Sequence, residues 1–118
     1  MIGARKVRRL PFLANHPDTT NWRSRVIAAG GTISNVIFNA TDDLIKWAYS
    51  NGIRDPNGVN HKIRFWLPLC TDDFNGILIP IWHSDSNAVC VNNNFVSADY
   101  SRINGLQGNG TNKWLATG

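Results

Sequence analysis

Apolar side chains between residues 33 and 50 recur with the period of an α-helix. Ile33, Ile37, Leu44 and Ala48 are spaced four, seven and four positions apart, and Phe38, Ile45 and Trp47 widen the stripe. Thr32 or Ser34 can cap the start. Gly52 stands where a left-handed residue commonly ends a helix, with Ile53 as the apolar residue after it. The stripe predicts Ile37, Leu44 and Ala48 in the core and Asp42 in solvent. A shorter helix is predicted over 20–29, capped by Thr20, with Trp22, Val26 and Ile27 on one side and Gly30-Gly31 as its stop.

Beyond Gly52 the period changes. Ile63, Phe65 and Leu67 alternate with Lys62, Arg64 and Trp66, which predicts a strand over 61–67 that Pro68 ends. Thr71-Asp72-Asp73 can cap a short helix over 74–79, and a strand through 77–82 is the rival, since Gly76 and Pro80 interrupt a helix. Residues 84–94 read as a polar loop and 95–100 as the start of another extended segment. The stretch 105–118 reads as a hairpin around Gly108-Asn109-Gly110-Thr111-Asn112, because Asn-Gly supplies the positive φ of a tight turn. A lone hairpin is marginal in water. Its strands are therefore expected to be completed by backbone outside residues 1–105, in a downstream sandwich or a neighbouring subunit.

These elements amount to a small α+β domain with two helices, a few short strands and long loops. Residues 1–19 form an extended basic arm, 20–104 the α+β domain, and 105–118 the hairpin. The 118 residues suffice for one domain. All eight acids are Asp, and fifteen residues are Asn, which favours turns and caps over helix interiors. Charged residues are 17% of the chain, fewer than the roughly 25% typical of globular proteins. The net charge of +4 is unevenly placed: residues 1–25 carry +5, since Arg5, Lys6, Arg8, Arg9, Arg23 and Arg25 face Asp18 alone, and the remaining residues carry −1.

The chemistry-bearing residues are sparse. His83-Ser84-Asp85 and His16 with Asp18 offer imidazole–carboxylate pairs, and His61 stands alone; each reads more simply as a loop residue. No HExxH, CxxC or nucleophile-elbow pattern occurs. The carboxylate pairs Asp42-Asp43 and Asp72-Asp73 read as solvated or capping residues, and Cys70 and Cys90 as free thiols. No catalytic residue, metal ligand or cofactor site is predicted. Neither a signal-peptide pattern nor a membrane-length apolar run is present, so synthesis in the cytoplasm and no membrane contact are expected.

The arm places Pro11, Phe12 and Leu13 beside its cations, which favours docking on a protein over neutralising phosphates of a nucleic acid. Arg8, Arg9, Phe12 and Trp114 are the predicted protein-contact residues. Removing the arm is expected to leave the fold of 20–118 intact.

From Trp22 onward the order of motifs resembles a module of bacteriophage virion proteins that precedes a concanavalin-like, laminin-G-type β-sandwich. The matching pieces are Trp22-Arg23-Ser24-Arg25-Val26, Ala28-Ala29-Gly30-Gly31-Thr32-Ile33-Ser34, the helix ending at Asn51-Gly52, and the strand into Cys70. Asp73-Phe74-Asn75-Gly76-Ile77-Leu78-Ile79-Pro80, Phe95-Val96-Ser97-Ala98-Asp99-Tyr100-Ser101 and the closing 105–118 complete the series. The arm lies outside it. The resemblance implies a structural component of the tail, neck or capsid surface of a phage, with other virion proteins as partners and homo-oligomers as the expected state. It also implies that 106–115 is the first strand region of a sandwich, so that the chain is expected to be either the N-terminal part of a longer protein or a natural short form whose terminal strands pair with a neighbour. The second functional reading is a carbohydrate-binding module of a tail fibre, with Trp66, Trp82 and Trp114 stacking on sugar rings.

Overall fold

The computed structural model describes residues 14–85 and 88–117. Arg8, Arg9 and Phe12 lie outside the described residues. The fold is α+β: among the described residues, two helices and four short strands in two small sheets are joined by loops and 3-10 turns.

Helix α1 spans Pro17–Ala28. It starts earlier than the apolar pattern predicts, because Pro17 sits at the first helical position, where its missing N–H costs nothing and its fixed φ suits the helix. His16 is the N-cap; its Nδ1 accepts from the Asp18 N–H at 3.0 Å. Pro17–Thr19 thus belong to the domain and not to the arm. At the other end Gly30 adopts φ +85°, with Gly31 N–H donating to Val26 O at 2.9 Å and Gly30 N–H to Ile27 O at 2.9 Å. This is the paired-bond ending in which a left-handed residue satisfies the last carbonyls.

Helix α2 spans Asn35–Ser50 with Ser34 as N-cap. It ends the same way: Gly52 has φ +70°, and Ile53 and Gly52 N–H groups donate to Ala48 O and Tyr49 O. Its inward face differs from the predicted stripe. Phe38, Thr41, Asp42, Ile45 and Ala48 are buried, whereas Leu44 is 49% exposed and Ile37 half-buried. The helix is rotated because α1 crosses it at Asp42, whose carboxylate accepts from Thr19 Oγ1 (2.6 Å) and the His16 N–H (2.8 Å) and pairs with Lys46 (2.8 Å). A satisfied carboxylate can be buried, and its burial turns Leu44 and Trp47 toward the surface.

Trp22, Val26, Ile45, Ala48, Ile79, Ile81 and Trp82 form the core. The last three come from a segment that is neither the predicted helix nor the predicted strand. Asp73 caps a 3-10 turn over Phe74–Gly76, and the chain then runs to Trp82, which bridges Trp66. No strand forms over 61–67, since Trp66 alone finds an antiparallel partner.

The C-terminal third departs most from the sequence reading. Strand β1 (Val91–Asn93) lies in the predicted polar loop, and a 3-10 turn over Ser97–Asp99 replaces the predicted extended segment. Strand β2 (Tyr100–Ser101) pairs with β3 (Gly105–Leu106), and β4 (Trp114–Ala116) pairs with β1. The 105–118 stretch is therefore not a hairpin folded on itself. Its two strands have separate partners, both within residues 1–105, which corrects the expectation that their sheet is completed elsewhere. The turn between them is held by Asn109 Oδ1, which accepts from the Thr111 and Asn112 N–H groups.

Gly31 and Gly76 press backbone against backbone. A Cβ on Gly31 would stand 2.7 Å from Gly76 N and 2.8 Å from Gly76 Cα, so no rotamer change can relieve it. Gly31→Ala should destabilise by about 1–3 kcal/mol in thermal or urea unfolding, the range for overpacking. An unchanged midpoint would mean that the two loops do not meet.

Candidate functional site

Two concavities share Trp82. One is a polar cleft of about 350 Å³, lined by Asp18, Asn21, Arg25, Arg54, His83 and Asp85 among others. The other is an apolar groove of about 290 Å³, formed between α2 and the 63–66 segment by Leu44, Trp47, Ile53, Ile63, Phe65 and Trp66.

The polar cleft is wired largely to itself. Asp18 Oδ2 accepts from Tyr49 Oη (2.7 Å) and from Trp82 Nε1 (2.8 Å). Burial, then the Asp18 carboxylate, push the Tyr49 hydroxyl above its usual range. Arg54 lies over the Trp82 ring, 4.4 Å from its centroid, and donates to Ile63 O. Arg25 donates to Pro80 O at 2.8 Å and to Asn21 Oδ1 at 2.8 Å, and its burial lowers its pKa. Through these two bonds Asp18 ties α1 to α2 and to the Trp82 segment.

The three histidines share one role. His16, His61 and His83 each use Nδ1 to accept a backbone N–H, from Asp18, Asp55 and Asp85 respectively. His83 Nε2 also lies 2.8 Å from Thr117 O. The His83–Asp85 pair suggested by sequence is thus an imidazole on a backbone amide rather than on a carboxylate. Among the described residues no group of three His, Cys, Asp or Glu side chains converges as metal ligands, and no helix is long and apolar enough to cross a membrane.

The apolar groove is the opposite case. Trp47 is 55% exposed, and Leu44, Ile63 and Phe65 are exposed with it. Its residues do carry a signal in the sequence, but one that points elsewhere: the helical stripe assigns Leu44 to the core, and the Ile63/Phe65 alternation suggests the face of a strand. Of the predicted contact residues, Trp114 is 55% exposed on β4 but lines neither concavity. Of the three proposed sugar-stacking residues, Trp82 is buried under Arg54, Trp66 is half-buried against it with ring centroids 5.2 Å apart and lines the apolar groove, and Trp114 is exposed. No protein-family model, curated protein or solved structure matches the chain.

Proposed function

We propose that the protein is a structural and assembly component of a phage particle, in the tail, neck or capsid surface, acting through protein–protein contacts with other virion proteins. The observation that carries the contact role is the apolar groove. Leu44, Trp47, Ile63 and Phe65 expose a contiguous apolar surface that water solvates poorly, and Trp-centred patches of this kind hold most of the binding energy at protein interfaces. The virion setting is supported by the motif order from Trp22 onward. The protein works in the particle after synthesis in the host cytoplasm.

The test is a Leu44→Asp/Trp47→Ser double variant supplied in place of the wild-type chain during phage growth. Both side chains are about half exposed, so the variant should unfold within about 1 kcal/mol of wild type. It should nevertheless be missing from purified particles, whereas the wild type is present at a fixed ratio to the major structural proteins. Incorporation of the folded variant at the wild-type ratio would end the proposal.

A further inference from the structure

Building on the groove as a contact surface, we propose that its occupant is an acidic, apolar, extended segment of a different protein, bound by strand addition along residues 63–65. Three observations point the same way. The first is unpaired backbone N–H, with the Ile63 carbonyl already taken by Arg54. Trp66 exchanges hydrogen bonds with the 81–82 segment, but among the described residues the amides of Ile63, Arg64 and Phe65 have no hydrogen-bond partner. Such a run of amides is a template for a further strand. The second is the apolar wall beside it, where Leu44, Trp47 and Phe65 can receive alternate side chains of that strand.

The third is charge, and it selects the partner. Lys62 and Arg64 alternate with Ile63 and Phe65, and the side chains of both are exposed and without an ion pair among the described residues. Two occupants from this same sequence are disfavoured. The basic arm would bring Arg5, Lys6, Arg8 and Arg9 against them. A second copy joined edge to edge at this run would bring its own Lys62 and Arg64. Like charges brought together in an interface oppose binding, so a partner carrying Asp or Glu between apolar residues is the complementary one.

Synthetic peptides provide the probe: one alternating Glu with Val, one alternating Lys with Val, and a Glu/Val peptide N-methylated at every second amide. Binding is read from the Trp47 fluorescence change, with Trp47→Phe as the control for its origin. The Glu/Val peptide should bind saturably and about tenfold or more tighter than the Lys/Val peptide. Raising salt should weaken it, and the N-methylated form should not bind. Lys62→Glu/Arg64→Glu should reverse the preference, a result that general misfolding cannot produce. Equal binding of the Lys/Val peptide, retained binding of the N-methylated one, or tighter binding of an oligothymidylate would overturn the proposal. So would a homodimer that Leu44→Asp dissociates. If no peptide binds while the Leu44→Asp/Trp47→Ser chain is still excluded from particles, strand addition is wrong and the assembly role stands. If the acidic peptide binds but that variant assembles normally, the site stands and the particle role is wrong.

Discussion

Asp42→Ala is expected to remove about 2–4 kcal/mol of stability, because two donors lose the acceptor they share and each unsatisfied buried group costs roughly 1–3 kcal/mol. Asp42 is 3% exposed on the inner face of α2. Its carboxylate receives the Thr19 hydroxyl, the His16 N–H at the start of α1 and the Lys46 ammonium. Alanine would leave the first two donors facing a void. An asparagine at the same position would keep an acceptor for them and lose only the charge, so Asp42→Asn should cost less, roughly 1–3 kcal/mol. Leu44→Ala, by contrast, truncates a half-exposed side chain and should fall well below the roughly 2–5 kcal/mol of a buried leucine. Urea unfolding of the three variants gives the order directly. Leu44→Ala costing more than Asp42→Ala would restore the stripe that the sequence suggests and refute the rotated helix.

The same carboxylate sets a pH dependence. Burial pushes the Asp42 pKa up, but the hydrogen bonds from Lys46, Thr19 and His16 outweigh it, and the pKa lies below the ordinary carboxylate value. The folded state therefore binds the Asp42 proton more weakly than the unfolded chain does. The stabilisation is fully present above the unfolded carboxylate range near about 3.9 and is lost as pH falls through the lower folded value. The acid limb of the wild-type stability curve should flatten in Asp42→Asn.

What is legible in the sequence is local. Ser34, Gly52 and the Gly30-Gly31 stop all act within one helical turn, and each is where the pattern predicts. The start of α1 is hidden because Pro17 reads as a breaker, although the same fixed φ that breaks a helix interior suits its first position. The face of α2 cannot be read from α2 alone. Asp42 is buried only because Thr19 and His16, more than twenty residues away, bring donors to it. The strands are two or three residues long, too short for alternation to reveal, and the partner of β4 lies in an Asn-rich segment that no strand propensity marks. The groove is hidden for the same reason as the face of α2, since turning Asp42 inward is what leaves Leu44 and Trp47 outside.

Trp22→Ala is expected to be the most damaging single substitution, at about 3–5 kcal/mol for the lost ring, with a further penalty for the carbonyl it abandons. Trp22 is fully buried at the centre of the core, against a set of side chains drawn from α1, α2 and the 77–82 segment. Its Nε1 donates to Ile79 O at 3.1 Å, the bond that holds a loop without regular structure onto α1. The 77–82 segment belongs to no sheet; of its residues only Trp82 makes a β-bridge, to Trp66. Backbone partners meet Leu78 O, the Ile79 and Ile81 amides and Trp82 O, but the Ile79 and Pro80 carbonyls are met by the side chains of Trp22 and Arg25. Trp22→Phe separates the two contributions. It keeps most of the buried ring but leaves Ile79 O unpaired, and should cost roughly 1–3 kcal/mol. Hydrogen exchange localises the effect: in Trp22→Phe the Ile79 and Ile81 amides should lose protection before those of α2, because the tie between helix and loop is cut while the helix pair remains. Uniform loss of protection in Trp22→Phe would mean that the indole N–H has no special part in holding the loop, and that Trp22 serves the core by volume alone.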